Sequence, residues 1–204
     1  MVKRKVGNLL ALAVLSYLTQ RPMHPYELQR SLKDNDAAHT FKLSYGALYS
    51  VVRQLASAGF IEELETEREG NRPERTVYRL TPAGAQEMGD WLRELLAEPQ
   101  SEYPAFAAAL SLIVVLPPEE AAALLTDRLG RIEAERAELS RTRDAAIAAG
   151  VHPVFLVEDE YRSALLSAEA DFVAGFIDRI ADADSDWAAP WRAHHAGAAD
   201  QARS

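Results

Sequence analysis

The first half of the chain switches between helical and strand-like spacing of its hydrophobic residues. Apolar residues three and four positions apart predict helices, and short runs rich in β-branched and aromatic residues predict a pair of strands. The helices are expected over 6–19, 24–32, 45–58 and 82–97, and the strands over 60–66 and 76–80. Three helices followed by a hairpin and a further helix are the element order of a winged helix-turn-helix.

The third predicted helix has two chemically different faces. Its apolar face consists of Leu48, Val51, Val52 and Leu55. At about 100° per residue, the opposite face carries small or hydrogen-bonding residues, namely Gly46, Ser50, Arg53 and Ser57. Ser44 is placed to cap the start of this helix, and Gly59 is placed to end it.

The second half of the chain is predicted to be helical. A polar segment with two prolines separates it from the first half, and helices are expected over 105–116, 119–149 and 155–180. Residues beyond the last helix are small and polar, which predicts a flexible tail. The predicted fold is mainly α with a small β-hairpin. It comprises a winged helix-turn-helix domain over 1–97, a helical domain over 98–182, and a tail over 183–204.

The composition is that of a folded protein, and its charge is unevenly distributed. Of the 204 residues, 48% are hydrophobic and none is cysteine, which excludes disulfides and cysteine-based chemistry and suits the reducing cytoplasm. Residues 1–92 contain 12 Lys and Arg against 11 Asp and Glu, whereas residues 93–204 contain 10 against 20. The net charge of −9 therefore resides in the second half, and only the first half is suited to lie along DNA phosphates.

Neither membrane insertion nor catalysis has support in the sequence. No apolar stretch approaches the roughly 20 residues that span a membrane. The apolar run at 9–15 lacks a following cleavage site, which favours a buried helix over a signal peptide and predicts a cytoplasmic location. The five histidines lack the helical spacing of metal ligands, and no phosphate-binding loop or nucleophile motif is present. We therefore expect no enzyme activity, no metal and no cofactor.

Three motifs in the first half resemble the PadR family of transcriptional regulators. They are Pro-Met-His-Pro-Tyr-Glu-Leu at 22–28, Gly-Ala-Leu-Tyr at 46–49 with Gly-Phe-Ile at 59–61, and Tyr-Arg-Leu-Thr-Pro-Ala-Gly at 78–84. The resemblance covers about residues 8–96, and the helices after residue 104 are similar to the family's helical C-terminal region. It implies a homodimeric repressor whose affinity for DNA falls when a small-molecule effector binds.

The candidate DNA-binding residues lie on the third helix and in the hairpin. A helix that enters a major groove needs small or hydrogen-bonding side chains near its N-terminus. The residues that fit are Ser44, Tyr45, Gly46, Tyr49, Ser50 and Arg53. Arg53 would pair with guanine or bind phosphate, and Tyr49 would contact phosphate or flank the core.

The hairpin carries a second set of basic residues, Arg68, Arg72 and Arg75. They predict a wing that contacts phosphates or enters a minor groove. Glutamates are interleaved with them, as in a solvated run of charges, which is the alternative interpretation. The basic residues at 3–5 either add phosphate contacts or form a disordered tail.

The last predicted helix supplies the candidate dimer interface. Its apolar stripe is Tyr161, Leu165, Ala168, Phe172, Phe176 and Ile180. A two-fold partner would bury this stripe and set the spacing of two recognition helices, although the two long helices would alternatively pair within one chain. Three aromatic residues either line an effector pocket or belong to the core: Trp91, Phe106 and Phe172.

These patterns predict a sequence-specific DNA-binding transcriptional regulator. We expect an effector-responsive repressor that binds double-stranded DNA as a homodimer, at a palindromic operator. The alternative is a winged-helix module that binds an effector or a protein and not DNA, which the net acidity and the glutamates of the hairpin favour. An enzyme with a pocket at the dimer centre has no positive support.

Overall fold

A computed structural model of the chain describes residues 4–34, 44–64, 76–99, 104–182 and 186–201. The chain divides into two compact units, Met1–Ser101 and Glu102–Ser204. We refer to them as the first and the second unit. Within the described residues, no helix is long and apolar enough to cross a membrane.

The first unit has the element order that the sequence predicts. Its elements are α1 (Leu9–Leu18), α2 (Pro25–Asp34), α3 (Tyr45–Ser57), β1 (Ile61–Leu64), β2 (Val77–Leu80) and α4 (Pro82–Ala97). The strands form an antiparallel hairpin in which Ile61 pairs with Leu80 and Leu64 with Val77. Met23, just before α2, forms a further antiparallel bridge with Tyr78. This pairing ties the start of α2 to the hairpin.

The core of the first unit is built around α1 and α3. Seven of the ten residues of α1 are buried, so the apolar run near the N-terminus is a core helix. The apolar face of α3 is also buried, and none of its members is more than 1% exposed: Leu48, Val51, Val52 and Leu55. Burial of one face fixes which side of α3 faces outward, and that side carries the candidate DNA-binding residues.

The start of α4 packs against the end of α3 without room for a side chain. The hydroxyl of Thr81 donates to the carbonyl oxygen of Gly59 at 2.8 Å and accepts from the amide of Gly84 at 3.1 Å. Gly59 has a φ of 77°, a left-handed conformation that favours glycine. A Cβ at Gly84 would lie 2.0 Å from the carbonyl oxygen of Phe60. The close contact between the start of α4 and the backbone of Phe60 therefore requires glycine at position 84.

The described residues of the second unit form helices joined by short turns. Its α-helices are α5 (Ala105–Ser111), α6 (Pro118–Ala148), α7 (Val157–Ala181) and α8 (Ala189–Gln201). The predicted helix over 105–116 ends early, because Leu112 leaves helical geometry and a 3-10 turn over Ile113–Val115 follows. A second 3-10 turn, Pro153–Leu156, precedes α7.

The two long helices, α6 and α7, pack against each other within one chain. Gly150, with a φ of 91°, lies in the tight connection between them. Arg128 of α6 pairs with Glu169 of α7, and Arg162 of α7 pairs with Glu135 of α6 at 2.6 Å. These partners occur in reverse order along the two helices, so the helices are antiparallel. Of the two pairings that the sequence allows, the intramolecular one is therefore present.

The prediction of a flexible tail over 183–204 is wrong for much of that segment. Residues 189–201 form α8, and the side chain of Trp191 is only 8% exposed. Its indole nitrogen donates to the carbonyl oxygen of Leu116 at 2.9 Å. The composition predicts fraying because the segment is small and polar, but one large aromatic anchor holds the helix against the second unit.

The predicted dimer stripe on α7 is divided by the fold. Phe176 and Ile180 are 6% and 2% exposed, because they belong to the core that α6, α7 and α8 form within one chain. They are therefore not available to a partner, which corrects their assignment to the dimer interface. The other four members of the stripe are exposed: Tyr161, Leu165, Ala168 and Phe172.

Candidate nucleic-acid interface

The outward face of α3 brings the predicted helical contact residues together. Ser44 caps the helix by accepting from the amide of Ala47 at 3.2 Å. Tyr45, Gly46 and Arg53 are exposed, and Tyr49 and Ser50 are half-buried. At about 100° per residue, the residues from Tyr45 to Arg53 on this side fall within roughly 140° of one another. The face presents hydroxyl, phenol, backbone and guanidinium groups and no carboxylate.

Tyr45 and Tyr49 form a pair at the edge of this face. Their ring centroids are 4.4 Å apart and the ring planes are inclined by 35°. The hydrogen bond to Tyr45, followed by burial, raises the pKa of Tyr49 to about 12. The Tyr49 phenol is therefore neutral at physiological pH and would not repel a phosphate. Its half-buried position agrees with both interpretations of Tyr49, as a core-flanking ring and as a contact residue.

Arg53 borders an open depression beside α3, with a volume of about 550 Å³. The depression is lined by Lys5, Ser50, Arg53, Gln54, Ser57 and Ala58. The amide nitrogen of Gln54 donates to the hydroxyl oxygen of Ser50 at 3.1 Å, so the Ser50 hydrogen stays free to donate elsewhere. Gln54 is not among the predicted contact residues, although its position four residues after Ser50 places both on one helical face.

The basic residues at 3–5 have different surroundings. Arg4 pairs with Glu87 at 2.7 Å and with Glu94, and its guanidinium lies over the ring of Trp91. Only 8% of the Arg4 side chain is exposed, so Arg4 is held within the first unit by these contacts. Lys5 lines the depression beside α3, and residue 3 lies outside the described part of the chain.

The tip of the hairpin, with Arg68, Arg72 and Arg75, lies outside the described residues. The stem below it is held by side-chain contacts between its strands. Arg79 donates to Glu62 at 2.8 Å, and the hydroxyl of Tyr78 donates to Glu63 at 3.1 Å. Glu62 and Glu63 are therefore hydrogen-bonded to residues of the opposite strand.

The second unit contains an apolar cavity of about 460 Å³ between α5 and α6. Apolar side chains dominate its lining, including Phe106, Leu110, Ile113, Leu116, Leu124 and Leu125. The guanidinium of Arg128 lies 3.7 Å from the centroid of Phe106, at the polar side of the cavity. Of the three aromatic residues considered for a pocket, only Phe106 lines this cavity. Trp91 is in the core of the first unit, and Phe172 is exposed on α7.

The part of the chain with described structure contains no group of three His, Asp or Glu residues that would hold a metal ion.

Comparison with known families identifies the first unit. The family model described as "Transcriptional regulator PadR-like family" matches residues 14–90. Residues 14–90 form a PadR-like domain. The match includes α3 and the hairpin that follows it, so the PadR-like domain contains every element of the candidate interface except the N-terminal residues. The description of that family is of transcriptional regulators.

Individual relatives extend the likeness beyond the PadR-like domain. The negative transcriptional regulator PadR of Bacillus subtilis is 25% identical over 141 residues, which cover 69% of this chain and 76% of the relative. The structure of B. subtilis PadR in complex with operator DNA has a TM-score of 0.70 at 22% identity, covering 85% of this chain and 99% of that one.

Two further solved structures have the same fold. The complex of B. subtilis PadR with p-coumaric acid has a TM-score of 0.70 at 21% identity, covering 86% of this chain and 100% of that one. The PadR-like regulator BC1756 from Bacillus cereus has a TM-score of 0.61 at 19% identity, covering 83% and 96%. These likenesses confirm the predicted winged-helix fold with a helical second half.

Proposed function

We propose that this protein is a cytoplasmic, homodimeric repressor that binds operator DNA through the outward face of α3. The observation that carries the proposal is the exposed, carboxylate-free polar face of α3 within a PadR-like domain. The curated relative is a negative regulator, and B. subtilis PadR has been solved with operator DNA, which supports the same role here. A winged-helix module without DNA binding is the alternative, and the absence of acidic residues from α3 argues against it.

On this proposal α3 lies in a major groove, with its first turns nearest the bases. The contact residues are Ser44, Tyr45, Gly46, Tyr49, Ser50 and Arg53. Apart from its chain neighbours and the backbone of its own helix, no described atom lies within 4 Å of the position that a Cβ at Gly46 would take, so the backbone there is open to close approach by a duplex. Arg68, Arg72 and Arg75 at the hairpin tip would contact phosphates or an adjacent minor groove.

In this proposal, residues 98–182 dimerise and bind the effector. Helix α8 also belongs to this domain. The exposed part of the α7 stripe, from Tyr161 to Phe172, is the surface that a second copy would cover. The effector would be a small, largely apolar molecule, because the cavity between α5 and α6 is lined mainly by apolar side chains. B. subtilis PadR, a structural neighbour, has been solved with p-coumaric acid.

Leu165→Glu is expected to convert a dimer into a monomer. Leu165 is 53% exposed in one chain, so the substitution leaves the chain folded but places a charge in an apolar interface. Sedimentation at micromolar concentration should give a species of twice 22.5 kDa for the wild type and of 22.5 kDa for the variant. Tyr26→Glu, an exposed aromatic residue of the first unit, is the control and should remain dimeric. A wild type that sediments as a monomer would refute the dimer.

Arg53→Ala is expected to reduce discrimination between specific and random DNA. A guanidinium that pairs with guanine contributes roughly 1–3 kcal/mol on the specific site and much less elsewhere. Binding would be measured by fluorescence anisotropy on duplexes that tile the protein's own upstream DNA and on a random duplex. Ser50→Ala should cost less, because a hydroxyl makes a weaker contact than a guanidinium.

The matched control is Arg93→Ala, on the exposed side of α4, where Arg93 pairs with Asp90 at 2.8 Å. It should leave both affinities unchanged. If Arg53→Ala weakens both duplexes by one factor, Arg53 binds phosphate and not a base. If Arg53→Ala melts like the wild type and binds both duplexes as the wild type does, the outward face of α3 is not the DNA-binding surface.

A further inference from the structure

The residues at the start of the first unit form a short arm that is anchored on both sides of Lys5. Arg4 is held by Glu87 and Glu94, and the next residue after Lys5, Val6, is 3% exposed in the core. Glu87, Trp91 and Glu94 are spaced by four and three residues, so they lie on one face of α4. The two carboxylates and the aromatic ring between them together bind the guanidinium of Arg4.

This anchoring places Lys5 beside α3 with little freedom of the backbone. The ammonium of Lys5 lies 5.9 Å from the ring centroid of Phe60, the residue that follows the left-handed turn at Gly59. Lys5 also lines the depression beside α3 together with Arg53. A cation held in position before binding loses less conformational entropy when it meets its ligand than a cation on a free tail.

The depression has the chemistry of a surface that contacts DNA, in which Arg53 and Ser50 are the proposed base contacts and Lys5 is the cation that remains for a phosphate. Its polar groups are the two cations Lys5 and Arg53, the hydroxyls of Ser50 and Ser57, and the amide of Gln54. None of the residues that line it is acidic. Hydroxyls, amides and cations are the groups that contact phosphate oxygens in protein–DNA complexes, and a lysine ammonium binds phosphate as a compact point charge.

We infer that Lys5 binds a phosphate of the DNA backbone beside α3, and that Arg4 is the positioning residue that holds Lys5 there. The inference rests on the proposed function, and it adds to the proposed interface two residues outside the span that matches the PadR-like model. Lys5 contributes affinity without sequence preference, because every step of a duplex carries a phosphate. Arg4 contributes to binding without touching DNA.

The first test is the salt dependence of binding by full-length Lys5→Ala. Each phosphate neutralised contributes about −0.9 to the slope of log K against log salt concentration. A dimer carries two copies of Lys5, so the slope should become less negative by about 1.8. The affinity should fall by the same factor on the specific and on the random duplex. Lys5→Arg should keep the wild-type slope, and Arg93→Ala should leave it unchanged.

The second test asks whether Arg4 acts through Lys5. Arg4→Met removes the charge and keeps much of the apolar stem, and it should flatten the slope as much as Lys5→Ala does. In the double variant with Arg4→Met and Lys5→Ala, the slope should match that of Lys5→Ala alone, because Arg4 acts only by positioning Lys5. Glu87→Gln weakens the anchor without removing a cation and should flatten the slope partly. It keeps the test informative if Arg4→Met fails to fold.

The outcomes separate this inference from the proposed function. A wild type that does not distinguish upstream from random duplexes refutes sequence-specific binding, and the Lys5 contact is then tested by the salt slope on random DNA. A wild type that distinguishes them while Lys5→Ala keeps the full slope refutes the Lys5 contact alone. A further loss from Arg4→Met in the Lys5→Ala background refutes the positioning role. A wild type that binds no duplex refutes both.

Discussion

Gly84→Ala is expected to destabilise the first unit by about 3 kcal/mol or more, a cost at the upper end of what overpacking produces. The added Cβ would lie 2.0 Å from the carbonyl oxygen of Phe60, which is backbone and has no flexible end to move aside. The same carbonyl accepts the amide of Thr81 at 3.1 Å, so moving it would also disturb the cap of α4. The measurement is chemical denaturation of the full-length protein, with hydrogen exchange to assign the loss to α1 and α3.

The matched control is Gly46→Ala, in the same unit and also in a helix. Apart from its chain neighbours and the backbone of its own helix, no described atom lies within 4 Å of the position of its Cβ, and alanine is favoured over glycine in helices by roughly 0.5–1 kcal/mol. This variant should therefore be as stable as the wild type or more stable. All variants must be compared at one protein concentration, because the proposed dimer would couple stability to concentration. Equal stability of the two variants would show that the contact at Gly84 relaxes without cost.

Trp191→Ala is expected to destabilise the second unit by about 3–5 kcal/mol. The indole is 8% exposed and packs in one cluster with Phe176 and Ile180. Its loss would leave a cavity there, and it would also remove the hydrogen bond of 2.9 Å to the carbonyl of Leu116. Denaturation should show the lower stability, and hydrogen exchange should show that α8 opens first.

Trp187→Ala tests whether any tryptophan in this segment would have the same effect. Trp187 is 47% exposed and meets Phe176 edge-on, with ring centroids 5.5 Å apart. Its removal loses less buried area and should cost about 1 kcal/mol or less. If Trp191→Ala costs no more than Trp187→Ala, then α8 is not anchored by Trp191 and the prediction of a loosely held tail regains support.

Local periodicity was sufficient to predict most of the fold. The helices and the hairpin of the first unit follow from apolar spacing and cap residues, because both signals are contained within each element. In α3, the four apolar residues determine which face is buried, and the candidate DNA-binding face follows by geometry. The end of the chain was mispredicted for the same reason. A single buried residue, Trp191, sets the packing of α8, and one residue gives no periodic signal.

Contacts between residues that are far apart in the sequence cannot be predicted from local sequence patterns. Arg4 and Lys5 are neighbours of the same charge, and the sequence gives no reason to separate their roles. The difference arises because Glu87 and Glu94, more than 80 residues away, receive Arg4 and leave Lys5 beside α3. The stripe on α7 was misread in part for a similar reason. Its periodicity shows that it is apolar, but only the packing of α6 and α8 shows that Phe176 and Ile180 are already covered.

The central claim is that two copies of this chain read a DNA sequence through α3. Selection from a pool of random duplexes by the full-length wild type tests it most directly, because no operator need be known beforehand. The account predicts enrichment of an inverted repeat whose half-sites are centred about 10–10.5 base pairs apart, or a multiple of that spacing. It also predicts that Arg53→Ala enriches a less defined sequence. A pool that remains random after repeated selection by folded, dimeric protein would contradict it.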